Sequence, residues 1–162
     1  MTRLLWRIAA VTPRYTAEDL SGKGAESTGG RWNAAGTPLV YTSSNIALAS
    51  LETLARLGLE GVPLNRYLVR IDVPDHVYAA RTVLAPPPGW DAQPYGLPSV
   101  QAGQAWCRAG ATALLEVPSV LVPEEANVLI NPRHPDSACL RATALRKWLV
   151  SYHRGQAPIS GR

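Results

Sequence analysis

The alternation of apolar and polar positions along the chain sets out a mixed run of strands and helices. Residues 4–11 place Trp6 and Ile8 on one face and Leu5 and Arg7 on the other, which predicts a first strand that Pro13 ends. Residues 16–28 are small and polar and read as a loop. Leu39 and Val40 then lead into Tyr41 as a short buried strand. Ser43, Ser44 and Asn45 offer N-cap groups for an apolar-periodic helix from Ile46 to Leu57, its stripe running through Leu48, Leu51, Ala55 and Leu59. Residues 65–73 alternate again, Tyr67, Val69 and Ile71 opposing Arg66, Leu68, Arg70 and Asp72, and His76 and Tyr78 follow in a second short extended piece.

The second half is more broken. Residues 85–99, rich in proline and glycine, read as a surface connection within one domain, because neither side alone makes a convincing core. A short helix over 101–110 carries Trp106 as a core anchor. Residues 114–123 read as two extended pieces broken at Pro118-Ser119, and 127–130 as another strand closed by Asn131-Pro132-Arg133-His134-Pro135. A terminal helix carrying Leu140, Ala144, Leu145 and Trp148 is expected over 137–153. The organisation expected is one domain over 1–154 and a flexible tail over 155–162.

Composition narrows the class without naming a chemistry. A chain of 162 residues that is 46% hydrophobic can bury about two thirds of its unfolded surface as one domain. The net charge of +4 is dispersed, and Arg141, Arg146 and Lys147 read as a solvated helix face. No direct nucleic-acid binding is expected, whereas an anionic small molecule suits the mild positive balance. Cys107 and Cys139 lack CxxC spacing and a histidine pair, which argues against a metal centre or a disulfide framework. The first ten residues have no cleavage pattern, and no stretch reaches the length of a membrane span, so a soluble cytoplasmic protein is the expectation.

Candidate chemistry gathers around Gly29-Gly30-Arg31-Trp32-Asn33. The glycine pair lets backbone approach a ligand, and Arg31 brings a rigid fork of donors suited to phosphate. Tyr41 closes the strand that follows, and Glu52 falls within the span of the helix stripe. A carboxylate placed there needs an arginine, a ligand hydroxyl or water to satisfy it. Lys23 lies in a glycine-containing loop without Walker spacing and is weak evidence for a phosphate contact. Ser119, at a strand break, can turn its hydroxyl towards a pocket or satisfy a turn, and no Gly-x-Ser-x-Gly elbow accompanies it. His134 reads as a turn cap in preference to a general base, and His76 is assigned no role.

Taken in order, Gly29-Gly30-Arg31-Trp32-Asn33 with the 36–41 run, Ala49-x-x-Glu52, Val117-Pro118-Ser119, and Asn127-Val128-Leu129-Ile130-Asn131-Pro132-x-His134-Pro135 resemble the RES-domain family. These are toxins of bacterial toxin–antitoxin pairs, named for an arginine, a glutamate and a serine. The resemblance runs from Arg7 to Trp148, with one departure at Gln104, where many relatives carry an acid. It implies an α+β, ADP-ribosyltransferase-like fold: a split, mostly antiparallel sheet core with flanking helices and an NAD cleft between its parts. It also implies a toxin that consumes NAD as substrate, with no further cofactor, and a helix-turn-helix (Xre-type) antitoxin as partner. A homodimer is compatible with this, and no membrane is implied.

Carried over by position, the triad falls on Arg31, Glu52 and Ser119, with Tyr41 as the accompanying tyrosine. Cleaving the nicotinamide–ribose bond leaves an oxocarbenium-like sugar, so Glu52 would stabilise that charge and hold the ribose 2′-hydroxyl. Arg31 would clamp the pyrophosphate, Tyr41 would stack on nicotinamide, and Ser119 would fix a ribose hydroxyl or phosphate oxygen, with Lys23 adding a phosphate contact. The acceptor stays open between water (hydrolysis), inorganic phosphate (phosphorolysis) and a protein side chain (ADP-ribosylation). A non-catalytic nucleotide-binding module is the alternative.

Overall fold

A computed structural model describes residues 1–58 and 64–148 of the chain. Among these residues seven strands form one sheet in the order β4-β5-β6-β2-β1-β3-β7. They are β1 (Thr2–Ala10), β2 (Val40–Ser43), β3 (Arg66–Pro74), β4 (Thr82–Val83), β5 (Leu114–Pro118), β6 (Ala126–Ile130) and β7 (Arg141–Lys147). Four α-helices among the described residues accompany them: α1 (Lys23–Thr28), α2 (Ile46–Leu57), α3 (Asp75–Ala79) and α4 (Leu97–Ala109). All pairings are antiparallel except the short β4–β5 ladder. The expected α+β class therefore holds.

The sheet has a seam. Every residue of β1 pairs with β3, from Thr2↔Pro74 to Ala10↔Arg66, yet β1 meets β2 at the single pair Trp6↔Ser43. Beyond Trp6 the strands diverge, and the sheet becomes two wings, β4-β5-β6-β2 and β1-β3-β7, hinged at one point.

Period-two alternation gives each wing an apolar surface on both sides. Leu5, Val69, Ile71, Val40, Leu114 and Val128 share one core that runs under both wings. On the opposite side the wings part company. Leu115, Val117 and Leu129 pack against Trp32, Leu39 and Trp106, whereas Ile8 and Leu68 pack against Ala49 and Trp148. At about 25 cal/mol per Å² of apolar surface removed from water, these three clusters dominate the drive to fold.

Helix α2 starts as expected: Asn45 caps it, its side-chain oxygen accepting from the Leu48 amide at 2.8 Å. Its inward face differs. Leu48, Ala49 and Thr53 are buried, but Leu51 is 43% exposed and Ala55 is exposed too, while Leu59 lies outside the described residues. The helix sits at the seam, where small residues allow close approach and the Thr53 hydroxyl donates to the Ala49 carbonyl at 2.8 Å. That rotation leaves Glu52 beside the buried face.

Several local expectations are corrected. The terminal helix over 137–153 is absent among the described residues: Pro135–Cys139 forms a 3-10 turn, and Arg141–Lys147 is edge strand β7, with Ala142 and Ala144 packed inward. Arg141, Arg146 and Lys147 thus lie on a sheet edge and not on a helix face. Long-range pairing with β3 decides this segment, whose alanines suit either period. The tail over 155–162 lies outside the described residues. The His76–Tyr78 piece is helical, the 16–28 loop contains α1, and helix α4 begins four residues early behind Gly96 with Pro98 in its first turn. Residues 120–123 form no strand.

One close contact fixes α4 against the glycine-arginine segment. A Cβ at Gly103 would lie 1.8 Å from the Trp32 carbonyl oxygen. Gly103→Ala is therefore expected to destabilise the fold by about 1–3 kcal/mol or more, read as a lowered denaturant midpoint or as loss of soluble protein. Wild-type stability in that variant would show that α4 can move away freely.

Candidate active site

A cleft of about 770 Å³ opens at the seam, lined from one wing by Arg7 and Arg66 and from the other by Tyr41, Ser43 and Asn127, with Glu52 on its helix. A side pocket of about 70 Å³ shares Arg31, Tyr41, Glu52 and Asn127 with it. Among the sequence-predicted residues, Arg31, Tyr41, Glu52 and Lys23 line the cleft itself. Ser119 stands behind Glu52, with its neighbours Val120 and Leu121 forming the wall.

Glu52 is held from across the seam. Its Oε1 accepts from the Ser119 hydroxyl at 2.7 Å and from Asn127 Nδ2 at 2.7 Å. Asn127 is itself aimed, since its Oδ1 accepts from the Ser43 hydroxyl at 2.7 Å. The Ser119 hydroxyl also accepts from the Leu121 and Val122 amides, both at 3.1 Å. With both lone pairs engaged, its single hydrogen has one direction left, towards the carboxylate. Ser119 is 0% exposed, so its whole hydrogen-bonding capacity goes to the protein. Glu52 Oε2 has no hydrogen-bond partner among the described residues, and no cation lies within ion-pair distance of the carboxylate there.

Arg31 braces the opposite rim. Its Nη1 donates to the carbonyls of Trp90 at 2.8 Å and Ala92 at 2.9 Å, and its guanidinium sits 5.9 Å from the Tyr95 ring centroid. Trp32 stacks on Trp90 with centroids 6.1 Å apart. Two adjacent side chains thus pin the segment that brings Gln93, Pro94 and Tyr95 to the cleft.

Tyr41 is likewise committed through its hydroxyl, which accepts from the Trp32 amide at 3.0 Å and donates to Asn33 Oδ1 at 2.7 Å. Burial pushes its phenol well above the ordinary tyrosine range. The fit needs a glycine: a Cβ at Gly30 would come within 2.6 Å of that hydroxyl. Asn33, 1% exposed, completes the corner by donating to the carbonyls of Ala25, Ala34 and Thr37. Gln104 ties in the same loop, accepting from the Ala34 amide at 3.3 Å and donating to the Thr37 hydroxyl at 3.0 Å. An acid could take both partners as donors, so the glutamine keeps the contact. Lys23 reaches the cleft with its ammonium 3.1 Å from Glu26. His134 is the expected turn cap, its Nδ1 accepting from the Asp136 amide at 3.1 Å.

The sequence pointed to no place in the site for Arg7, Arg56 or Arg66, offered Ser43 only as an N-cap group, and marked Asn127 only as part of a strand motif. Two signals were available: asparagine is depleted in strand interiors, and Arg56 lies four residues after Glu52 on one helix face. No helix among the described residues is long and apolar enough to cross a membrane.

Comparison with known proteins adds to this geometry. Residues 4–152 match the RES domain. The chain is 54% identical over 152 residues to the Prs ADP-ribosylating toxin of Sphingobium sp., a match covering 92% of this chain and 94% of that protein. It is 39% identical over 136 residues to the toxin Res of Pseudomonas putida, covering 83% and 88%, and 36% identical over 131 residues to the toxin Res of Yersinia enterocolitica, covering 81% and 85%.

Ser119→Ala removes one of the two donors to Glu52 and strands the Leu121 and Val122 amides. It should lower unfolding free energy by about 1–3 kcal/mol, measured by chemical denaturation. An unchanged midpoint would mean that the hydroxyl does not hold this turn.

Proposed function

Since the chain belongs to the RES-domain toxin family, we propose that it cleaves the nicotinamide–ribose bond of NAD in the seam cleft of an ADP-ribosyltransferase-like fold. One observation carries the reading: a carboxylate, Glu52, without an ion pair among the described residues, fixed through Oε1 by Ser119 and Asn127 and with Oε2 unpartnered among those residues. Nicotinamide leaves as a neutral molecule, so the bond can break without a strong acid. The sugar left behind gathers positive charge at its anomeric carbon, and a preorganised anion beside it lowers the barrier. The same oxygen would accept from the ribose 2′-hydroxyl.

The other residues divide the work. Tyr41, its hydroxyl already satisfied, offers its ring face to nicotinamide. Arg31 holds the rim segment through Nη1 and directs its charge and remaining donors to the dinucleotide diphosphate. Ser119 acts through Glu52, holding the carboxylate in place. Lys23, engaged with Glu26, adds positive charge at the edge of the cleft.

Hydrolysis and phosphorolysis both deplete NAD and fit a growth-arresting toxin. Transfer to a protein is favoured by one specific observation, the name of the relative from Sphingobium sp., an ADP-ribosylating toxin 54% identical to this chain. Product masses after incubation with NAD, with and without phosphate or candidate acceptor proteins, separate the three. A helix-turn-helix antitoxin is the proposed partner, and expression without it should arrest growth. Cells that make folded protein and grow normally would contradict the toxin reading.

Glu52→Gln should keep the fold and NAD affinity yet release nicotinamide at least about a hundredfold more slowly, because it keeps the shape and loses the charge. Nicotinamide release by Glu52→Gln at the wild-type rate would defeat the assignment. A wild-type protein that binds NAD tightly without consuming it would be a binding module.

A further inference from the structure

Beyond Glu52 the cleft holds a group of cations that the mechanism above does not use. Arg7 from β1, Arg56 from α2 and Arg66 from β3 all line it, and none makes an ion pair among the described residues. Arg7 Nη1 donates to a backbone carbonyl, that of Asp19, at 3.1 Å. The Asp19 carboxylate is engaged by the Ser21 amide and hydroxyl. Arg66 Nε is buried without any hydrogen-bond partner among the described residues. A buried guanidinium donor left unmatched is costly, and folded proteins seldom keep one without a use for it.

The three feel one another. Burial lowers the Arg7 guanidinium to about 10; Asp19 opposes the shift, and the charges of Arg56 and Arg66 add to it. Burial lowers Arg66 as well, again with Arg56 contributing. Across the whole cleft lining, five cationic side chains face two carboxylates, Asp19 and Glu52. Such an excess draws an oxyanion inward, and guanidiniums match phosphate oxygens in geometry as well as charge.

We propose that Arg7, Arg56 and Arg66 form a phosphate subsite in the cleft, one helical turn from Glu52. It rests on the reading of the cleft as the NAD site and extends it to residues outside the arginine–glutamate–serine triad. The phosphate has two sources of the same chemistry: the diphosphate of the dinucleotide, or free inorganic phosphate standing ready as the acceptor.

The test uses Arg56→Gln and Arg66→Gln, each checked for a wild-type thermal transition, titrated calorimetrically with ADP-ribose and with inorganic phosphate. If the diphosphate occupies the subsite, ADP-ribose affinity falls about tenfold in each variant, and its decline with rising salt becomes shallower. If free phosphate occupies it, phosphate binding to the wild-type protein is lost in both variants while ADP-ribose affinity holds. Wild-type affinity for both ligands in folded variants overturns the subsite, as does a loss of ADP-ribose affinity with the salt dependence unmoved. A wild-type protein that binds phosphate but neither NAD nor ADP-ribose would overturn the NAD reading alone, and the phosphate titration of the variants would still decide the subsite.

Discussion

The structure turns on a carboxylate shared across a seam. Helix α2 packs through Ala49 onto Ile8 and Leu68 of one wing, and through Glu52 it is tied to Ser119 and Asn127 of the other. Apart from the single pair Trp6↔Ser43, nothing in the sheet ladder joins the wings. Hydrogen bonds to a charged group contribute roughly 1.5–3 kcal/mol each, so the pair at Oε1 is a substantial strap. The group proposed to act on the ligand is thus also a group that keeps the cleft walls in register. Loss of either donor would loosen the wall and misplace the charge together.

The hydroxyls of this site belong largely to the protein. Ser119 and Tyr41 both donate and accept within the protein, and Ser43 spends its hydrogen on Asn127. This places the burden of recognition on charge, ring faces and the free carboxylate oxygen. It also accounts for the glycine pair: Gly30 admits the Tyr41 hydroxyl, whose bond to the Trp32 amide fixes the direction in which Arg31 leaves the chain.

Elements whose own residues declare a period were legible in the sequence. The alternation in β1 and β3, the strand at Asn127–Ile130 and the Asn45 cap needed no tertiary information to find. Elements decided by distant partners were not. Helices α1 and α3 span six and five residues and are too short to stand without tertiary support, and β7 is a strand only because β3 offers an edge. The α2 stripe was misplaced for a related reason, since a helix at a cleft presents polar residues on part of its inward side. Arg31, Tyr41 and Glu52 were visible by residue type near one another in the chain. The bond from Asn127 to Glu52, 75 positions away, leaves no periodic trace.

Under the proposed function, the cleft would hold an anionic dinucleotide and also stabilise a developing cation, and these are opposed electrostatic demands. A carboxylate at the phosphates would repel the ligand, and an arginine at the anomeric carbon would oppose bond breaking. Separating the two along one helix resolves the conflict. Glu52 and Arg56 are four residues apart, about 5–6 Å along the same face, close enough for one extended ligand to reach both. That no ion pair joins them is part of the arrangement, because a direct Glu52–Arg56 bridge would quench both charges before a ligand arrived. Ser119 and Asn127 prevent that collapse by supplying Glu52 with neutral donors, which satisfy the carboxylate and leave its charge available.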